Sequence, residues 1–301
     1  MKILITGASS FTGSFFVESL FNSGHEIHAV FTKGIKDYEN LRSIRIDRIK
    51  NKCTQYWNCS FGDQKFLDII DHQFDIYCHH GTYMEDYRSL DYNLVKSVDH
   101  NYKNIKKVFT KLKNQSVKKI IFSGSVFEKN EGFGTEPLRA FSPYGLSKGI
   151  SSDIIEFWCN WAGIDFCKFI IPNPFGPLEE FKYTRYLMET WAKNEIAEVK
   201  TPKYIRDNIH VKILAEEYKN FIVSGGAKCN PSGYVETQLD FTSRFAMEVS
   251  SRISLPCKFR AVDQKVFDEP LSRSNSKLTK SYFHPLEEKC WDDIALRYFQ
   301  Q

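Results

Sequence analysis

The stretch Lys2-Ile3-Leu4-Ile5-Thr6-Gly7-Ala8-Ser9-Ser10-Phe11-Thr12-Gly13 decides how this chain is read. Residues 3–6 form a short apolar strand, Gly7 turns the chain, and residues 13–23 have the pattern of a helix. A glycine at such a turn lets the backbone approach a pyrophosphate. The helix that follows turns N–H groups and the positive end of its dipole toward the same point. An ordinary strand–turn–helix connection uses the same residue types, so the position at the head of the chain is what gives the turn weight. Ser10 stands where the middle glycine of a nucleotide turn is usual, and its hydroxyl slightly crowds the backbone.

Outward from this turn the pattern repeats. Residues 26–31, 74–79, 119–123 and 165–171 are further apolar runs with strand character, and residues 64–70, 95–112 and 144–162 between them read as helices. Such alternation predicts an α/β fold with a doubly wound parallel sheet, whose ligands lie at the carboxyl ends of the strands. From Pro172 the character changes: Pro172-Asn173-Pro174-Phe175-Gly176-Pro177 is a turn cluster, and shorter elements follow it. The expected division is a nucleotide-binding domain over residues 1–171 and a smaller α/β substrate lobe over 172–301, with some segments returning to the first domain.

The 301 residues carry 41 basic and 37 acidic side chains, a net charge of +4 without a dense basic block, which gives no case for nucleic acid. The eight cysteines have no C-x-x-C spacing, so no zinc or other metal site is expected. The chain opens on a strand, so no leader is expected, and no apolar run approaches the ~20 residues of a membrane helix. A cytoplasmic protein with reduced thiols is the expectation.

The chemistry centres on Tyr144-Gly145-Leu146-Ser147-Lys148, which begins a helix after Ser142-Pro143. Residues four apart share a helix face, so the Tyr144 phenol and the Lys148 ammonium are expected side by side. A phenol near pKa 10 is a poor base at neutral pH, and an adjacent cation is expected to lower that value. Upstream, Lys119-Ile120-Ile121-Phe122-Ser123-Gly124-Ser125 ends a strand in hydroxyls that can hydrogen-bond a reacting carbonyl or alkoxide. At the end of the second strand, where NAD enzymes usually place an acid for the ribose hydroxyls, the chain reads Val30-Phe31-Thr32-Lys33-Gly34. Thr32 and Lys33 suit a 2′-phosphate instead, which favours NADP over NAD. His79 and His80, as neighbours on a strand, point to opposite faces and cannot share a metal.

Assembled in this order, the residues resemble the extended short-chain dehydrogenases, the NAD-dependent epimerase/dehydratase family, and the resemblance runs almost the whole length of the chain. It implies a Rossmann-type fold and assigns roles. Gly7, Ser9, Ser10, Phe11, Thr12 and Gly13 correspond to the pyrophosphate turn, and Gly62-Asp63, with Gln64, to the segment at the adenine. His79-His80-Gly81 corresponds to the segment along the cofactor. Asn101 falls where the family braces the active-site helix. Ser125, Tyr144 and Lys148 resemble the Ser/Thr-Tyr-Lys triad, and Tyr144 and Lys148 also touch the cofactor. The serine loop is two residues shorter than the family's common form, which leaves Ser123 as a second candidate hydroxyl. Pro172 falls at the cofactor and Thr82 at the substrate. Asn173 opens a segment resembling N-x-Y-G-P. Arg206 opens one resembling R-D-x-x-x-V, and Arg206 and the late Arg273 are implied to hold a diphosphate.

The dehydratases' Asp-Glu pair is absent, because Val126-Phe127 follow the hydroxyl and Glu128 is out of register. Three functions remain in view. The first is NADPH-dependent reduction of a 4-keto-6-deoxy sugar nucleotide, with Tyr144 as proton donor. The second is NAD-dependent 4-epimerisation of a nucleotide sugar. The third, well behind, is a non-catalytic binding module. The family also implies pairing into a homodimer, through a helix in the region 91–111.

Overall fold

The strand at the head of the chain is buried along four of its five residues, Ile3–Thr6, and lies between two parallel neighbours. A strand apolar on both faces needs cover on both sides, which a parallel sheet flanked by helices supplies. The computed structural model describes residues 1–83, 85, 87, 89–277 and 284–297. In chain order the elements begin β1 (Lys2–Thr6), α1 (Phe11–Asn22), β2 (Glu26–Val30), α2 (Asn40–Ile49), β3 (Thr54–Tyr56), α3 (Gln64–Ile70) and β4 (Ile76–His79). They continue with α4 (Leu94–Tyr102), α5 (Ile105–Asn114), β5 (Lys119–Ser125), β6 (Phe133–Gly134), α6 (Pro143–Ala162), β7 (Asp165–Ile171) and β8 (Asn173–Phe175). The remainder is α7 (Tyr183–Ala192), β9 (Ala197–Val199), β10 (Ile205–His210), α8 (Val211–Ser224), β11 (Lys228–Cys229), β12 (Tyr234–Thr237), α9 (Gln238–Ser250), β13 (Phe259–Ala261), β14 (Ser272–Ser274) and α10 (Glu287–Arg297).

The chain divides into two units. The first holds residues 1–130, 139–171 and 215–229 and contains a seven-stranded sheet in the order β11-β7-β5-β4-β1-β2-β3, parallel throughout. On one face Leu4, Tyr77, Ile120 and Phe122 pack with Phe66 of α3, Val108 and Phe109 of α5, and Ile155 and Cys159 of α6. On the other, Phe16 of α1 stacks at 4.0 Å on Tyr218 of α8, which meets Phe169 of β7 edge-on. This is the Rossmann-type sheet expected. Its strand order puts β1 between β2 and β4, so the chain reverses direction beside β1, where open α/β sheets bind ligands.

The second unit holds residues 131–138, 172–214 and 230–301. Its main sheet runs β12-β10-β14-β6, with β8 also paired to β10. Its core gathers Phe175, Trp191, Phe241, Phe245 and Trp291. Among the described residues no helix is long and apolar enough to cross a membrane.

One element differs from its expected form. The helix expected over 95–112 is two helices, α4 and α5, broken at Lys103 and Asn104. Asn104 adopts a left-handed conformation, φ 55°, and its Nδ2 donates to the Gly62 carbonyl at 2.8 Å. The Lys103 carbonyl presses on Gly62 so closely that a Cβ there would sit 1.7 Å from it. A contact across some forty residues, invisible to local periodicity, overrides the helix. Asn104→Ala loses that bond and strains the turn, and should cost about 1–2 kcal/mol. Asn104→Gly, which relieves the strain, should cost less; denaturant unfolding of the two variants checks the order.

Candidate active site

The nucleotide turn is built from its own polar side chains. Ser10 is the N-cap of α1, and its Oγ accepts the Gly13 N–H at 3.0 Å. That turns the hydroxyl back onto the helix, and Ser10 keeps ordinary extended angles that need no glycine. Gly7, in contrast, has φ +74°, and a Cβ there would lie 2.8 Å from the Gly81 backbone. The ends of β1 and β4 therefore meet backbone to backbone, at a helix N-terminus. This cradle fits a dinucleotide pyrophosphate.

His80 ties the cradle to β5. Its Nε2 lies 3.1 Å from Ser10 Oγ and 3.0 Å from Thr12 Oγ1, and its Nδ1 lies 2.8 Å from Ser123 Oγ. His79 points to the other face, where its Nδ1 meets the Tyr77 hydroxyl at 2.7 Å and its ring stacks on Phe122. Burial first, and then the Lys148 cation, hold both imidazoles neutral, each down at about 3.

Around the adenine segment, Asp63 caps α3. Its Oδ1 accepts the Phe66 N–H and its Oδ2 the Ser60 N–H. Gln64 is exposed and donates to Asp68. At the end of β2, Phe31 is buried against Trp57 at 4.3 Å. Thr32 and Lys33 follow on the surface, held by the Tyr38 hydroxyl, which lies 3.4 Å from Thr32 Oγ1 and accepts the Lys33 N–H.

The residues of the expected triad all lie in the first unit, at the carboxyl end of β5. Ser142 caps α6, with Pro143 in its first turn, and so fixes where Tyr144 stands. The Phe127 carbonyl rests on this turn, where a Cβ on Gly145 would lie 2.3 Å from it, so the serine loop and α6 are in register by direct contact. Ser123 is engaged by His80, whereas Ser125 Oγ accepts the Phe127 N–H. Asn101 joins α4 to α6 by donating to Thr82 Oγ1 at 3.2 Å and Ser151 Oγ at 3.3 Å.

Tyr144 and Lys148 differ from their expected electrostatics. The half-buried Tyr144 ring meets Tyr87 and Tyr92 edge-on. Burial first, then Tyr92, Glu128 and Tyr87, raise its hydroxyl above the usual phenol value. Lys148 does not lower it. Its ammonium lies 4.4 Å over the Phe122 ring, and among the described residues no hydrogen bond joins it to the phenol. Helical spacing brought the two side chains to one face but did not set where the ammonium points. Burial pushes Lys148 itself down to about 8, with Glu128 opposing the fall and Lys168 adding to it.

In the second unit, parallel pairing sets Arg206 of β10 opposite Arg273 of β14. The Arg206 guanidinium donates to the carbonyls of Ile205, Pro270 and Leu271 and pairs with Glu269 at 2.7 Å. Arg273 is fully buried and donates to the Glu131 carbonyl; burial and the neighbouring Arg206 lower its pKa. Asp207, on the opposite face of β10, accepts Gly233 N, Asn275 N and Ser232 Oγ and staples the sheet. Asn173 on β8 lies opposite Asn208, and Pro172 before it is buried.

Sequence reading missed three features: the His80 bridge, the Glu128–Lys168 pair at 2.6 Å, and the Glu269 partner of Arg206. Glu128 beside the serine loop was the one local signal, and nothing in the local spacing marks the others.

The sequence profile of the NAD dependent epimerase/dehydratase family matches residues 3–219. The chain belongs to that family. It is therefore an enzyme of the extended short-chain dehydrogenase type. A Methanocaldococcus jannaschii protein provisionally named a UDP-glucose 4-epimerase is 22% identical over 242 residues, which cover 74% of this chain and 76% of that one. Among solved structures, the Bacillus cereus UDP-glucuronic acid 4-epimerase, in complex with UDP-glucuronic acid and NAD, superposes with a TM-score of 0.77 at 16% identity, over 100% of this chain and 99% of that one. The UDP-N-acetylglucosamine 4-epimerase of Methanobrevibacter ruminantium M1 gives 0.74 at 16% identity, over 99% and 98% of the two chains.

The neutral imidazoles set a pH dependence. Between about 3 and the ordinary 6.5, unfolded His79 and His80 bind protons that the folded enzyme does not. Stability is then complete above about pH 6.5 and falls as pH drops toward 3, by up to about 1.4 kcal/mol per pH unit for each ring. Denaturant midpoints at pH 7.5 and pH 5 should show the loss, and His80→Gln should flatten the slope.

Proposed function

We propose that this enzyme is a nucleotide-sugar 4-epimerase that works with a nicotinamide dinucleotide. The observation that carries the reading against dehydration is the set Ser125, Tyr144 and Lys148 without an acid placed for loss of water, and the names of similar proteins carry it from hydride transfer in general to 4-epimerisation. Val126 and Phe127 follow the serine, and the Glu128 carboxylate is drawn under the loop to Lys168. The 4-epimerase names of the archaeal relative and of the two superposed structures support the same choice.

The chain's own groups divide the work as follows. Gly7, the N-terminus of α1 and Gly81 receive the pyrophosphate. Lys148 and Tyr144 hold the nicotinamide ribose end. When bound, the nicotinamide ring supplies the hydride acceptor at the sugar carbon and the donor that returns hydride to its other face. Tyr144 would take the proton of the sugar hydroxyl and give it back, the positive charge of an oxidised nicotinamide, when bound, offsetting the burial that raises the phenol. Ser125, rather than the His80-bound Ser123, hydrogen-bonds the same oxygen. Asn101 braces α6, which carries Tyr144. In the second unit, Arg206 and Arg273 offer paired guanidinium groups to a diphosphate, which displaces Glu269 from Arg206.

Ketoreduction with NADPH is the second reading. It is favoured by one observation: the end of β2 presents exposed Thr32 and Lys33 in place of an acid. Three measurements separate the readings and test the site. Nucleotide released on denaturing the purified enzyme should be NAD for the epimerase. A protein emptied of nucleotide that prefers NADPH, and whose preference Lys33→Asp abolishes, points to the reductase. Tyr144→Phe should cut turnover at least ~100-fold while cofactor binding persists; turnover near that of the unaltered enzyme would remove Tyr144 from the chemistry.

A further inference from the structure

Glu128, out of register with the acid pair of the dehydratases, is buried to 1% exposure in the serine loop. Its Oε1 accepts the Ser125 N–H at 2.6 Å, and its own N–H donates to the Ser125 carbonyl at 3.1 Å. Ser125 Oγ accepts the Phe127 N–H, so all three polar groups of the serine are engaged within four residues. The other carboxylate oxygen, Oε2, takes the Lys168 ammonium of β7 at 2.6 Å. Gly124 makes room for this pair: a Cβ there would lie 2.9 Å from Lys168 Cε and 3.0 Å from Glu128 Oε1.

The pair lies on the α6 side of the sheet, since Lys168 stands beside Phe122 in the β5–β7 register and Lys148 rests on the Phe122 ring. The ammonium of the buried Lys148 and that of the partly buried Lys168 thus lie on the same side of the sheet as one buried carboxylate. Among the described residues, the groups that bear on Lys148 are Glu128 from the loop, Lys168 from β7, the neutral His79 of β4 and His80 just after it, and the Phe122 ring from β5. Glu128 is the one acid among them.

We propose that Glu128 is a positioning residue of the active site, fixing Ser125 at the end of β5 and acting as the counter-ion that Lys148 and Lys168 share. The proposal rests on the reading of Ser125, Tyr144 and Lys148 as the reacting set. It also explains the short serine loop: a four-residue turn brings residue 128 back beneath Ser125, where a longer loop would carry it past.

The test reads Lys148 directly, in the full-length protein freed of cofactor, by competitive labelling of its amine across pH with peptide mass spectrometry. The unaltered protein should show a midpoint at about 8. Glu128→Gln keeps an acceptor for the Ser125 N–H and removes the charge, so the midpoint should fall by about one pH unit, a tenfold change in proton affinity. Lys168→Met removes the competing cation and should raise it. Glu128→Asp keeps the charge but shortens the reach to Ser125. It should leave the midpoint within about 0.3 of its starting value, while kcat falls about tenfold or more and KM changes little. A role in packing alone would move the first two midpoints together or not at all, and either result overturns the proposal, as does unchanged kcat in Glu128→Asp. If the midpoints move as expected while Tyr144→Phe retains turnover, the assigned reaction has failed and the counter-ion stands.

Discussion

A buried ammonium sets the terms for everything at the carboxyl end of β5. Removing a charged lysine from water is costly, and the protein meets that cost with an aromatic face, a shared carboxylate and neutral neighbours. Phe122 lies beneath Lys148, Glu128 stands within its field, and His79 and His80 stay uncharged. Each of these in turn constrains its surroundings. The neutral His80 can bridge three hydroxyls, which it does from Ser10 and Thr12 to Ser123. The carboxylate needs a second cation, which Lys168 provides from the neighbouring strand. The electrostatics of one side chain thus reach the nucleotide turn on one side and the serine loop on the other.

Much of this architecture is legible in the sequence, because its signals are local. An apolar run followed by a glycine turn marks β1 and α1. Helical spacing places Tyr144 and Lys148 on one face, and a seven-residue apolar strand gives β7 its limits, Asp165–Ile171. What stayed hidden depends on contacts between distant segments. The break between α4 and α5 follows from the Gly62 turn, and the state of the Tyr144 phenol from burial beside Tyr87, Tyr92 and Glu128. Spacing of four residues fixes adjacency on a helix but not the rotamer of a long side chain, so an ammonium expected on the phenol lies on Phe122 instead. The R-D pair of β10 shows the same limit. Alternation along a strand sends Arg206 and Asp207 to opposite faces, yet only the fold reveals that Glu269 already occupies the arginine.

The serine in place of the usual middle glycine has the broadest bearing on cofactor handling. Glycine at a nucleotide turn gives close approach at the expense of order, since a glycine-rich loop samples many conformations. Here Ser10 closes α1 with its own hydroxyl, and His80 clamps Ser10 and Thr12 to the sheet. Ordering a residue's backbone costs about 1–2 kcal/mol. A loop already ordered before the ligand arrives withholds none of that from the binding free energy, and the saving appears as a slower departure. Residence time, more than recognition, is what an ordered turn of this kind bears on: a dinucleotide that enters it meets a surface with little left to rearrange.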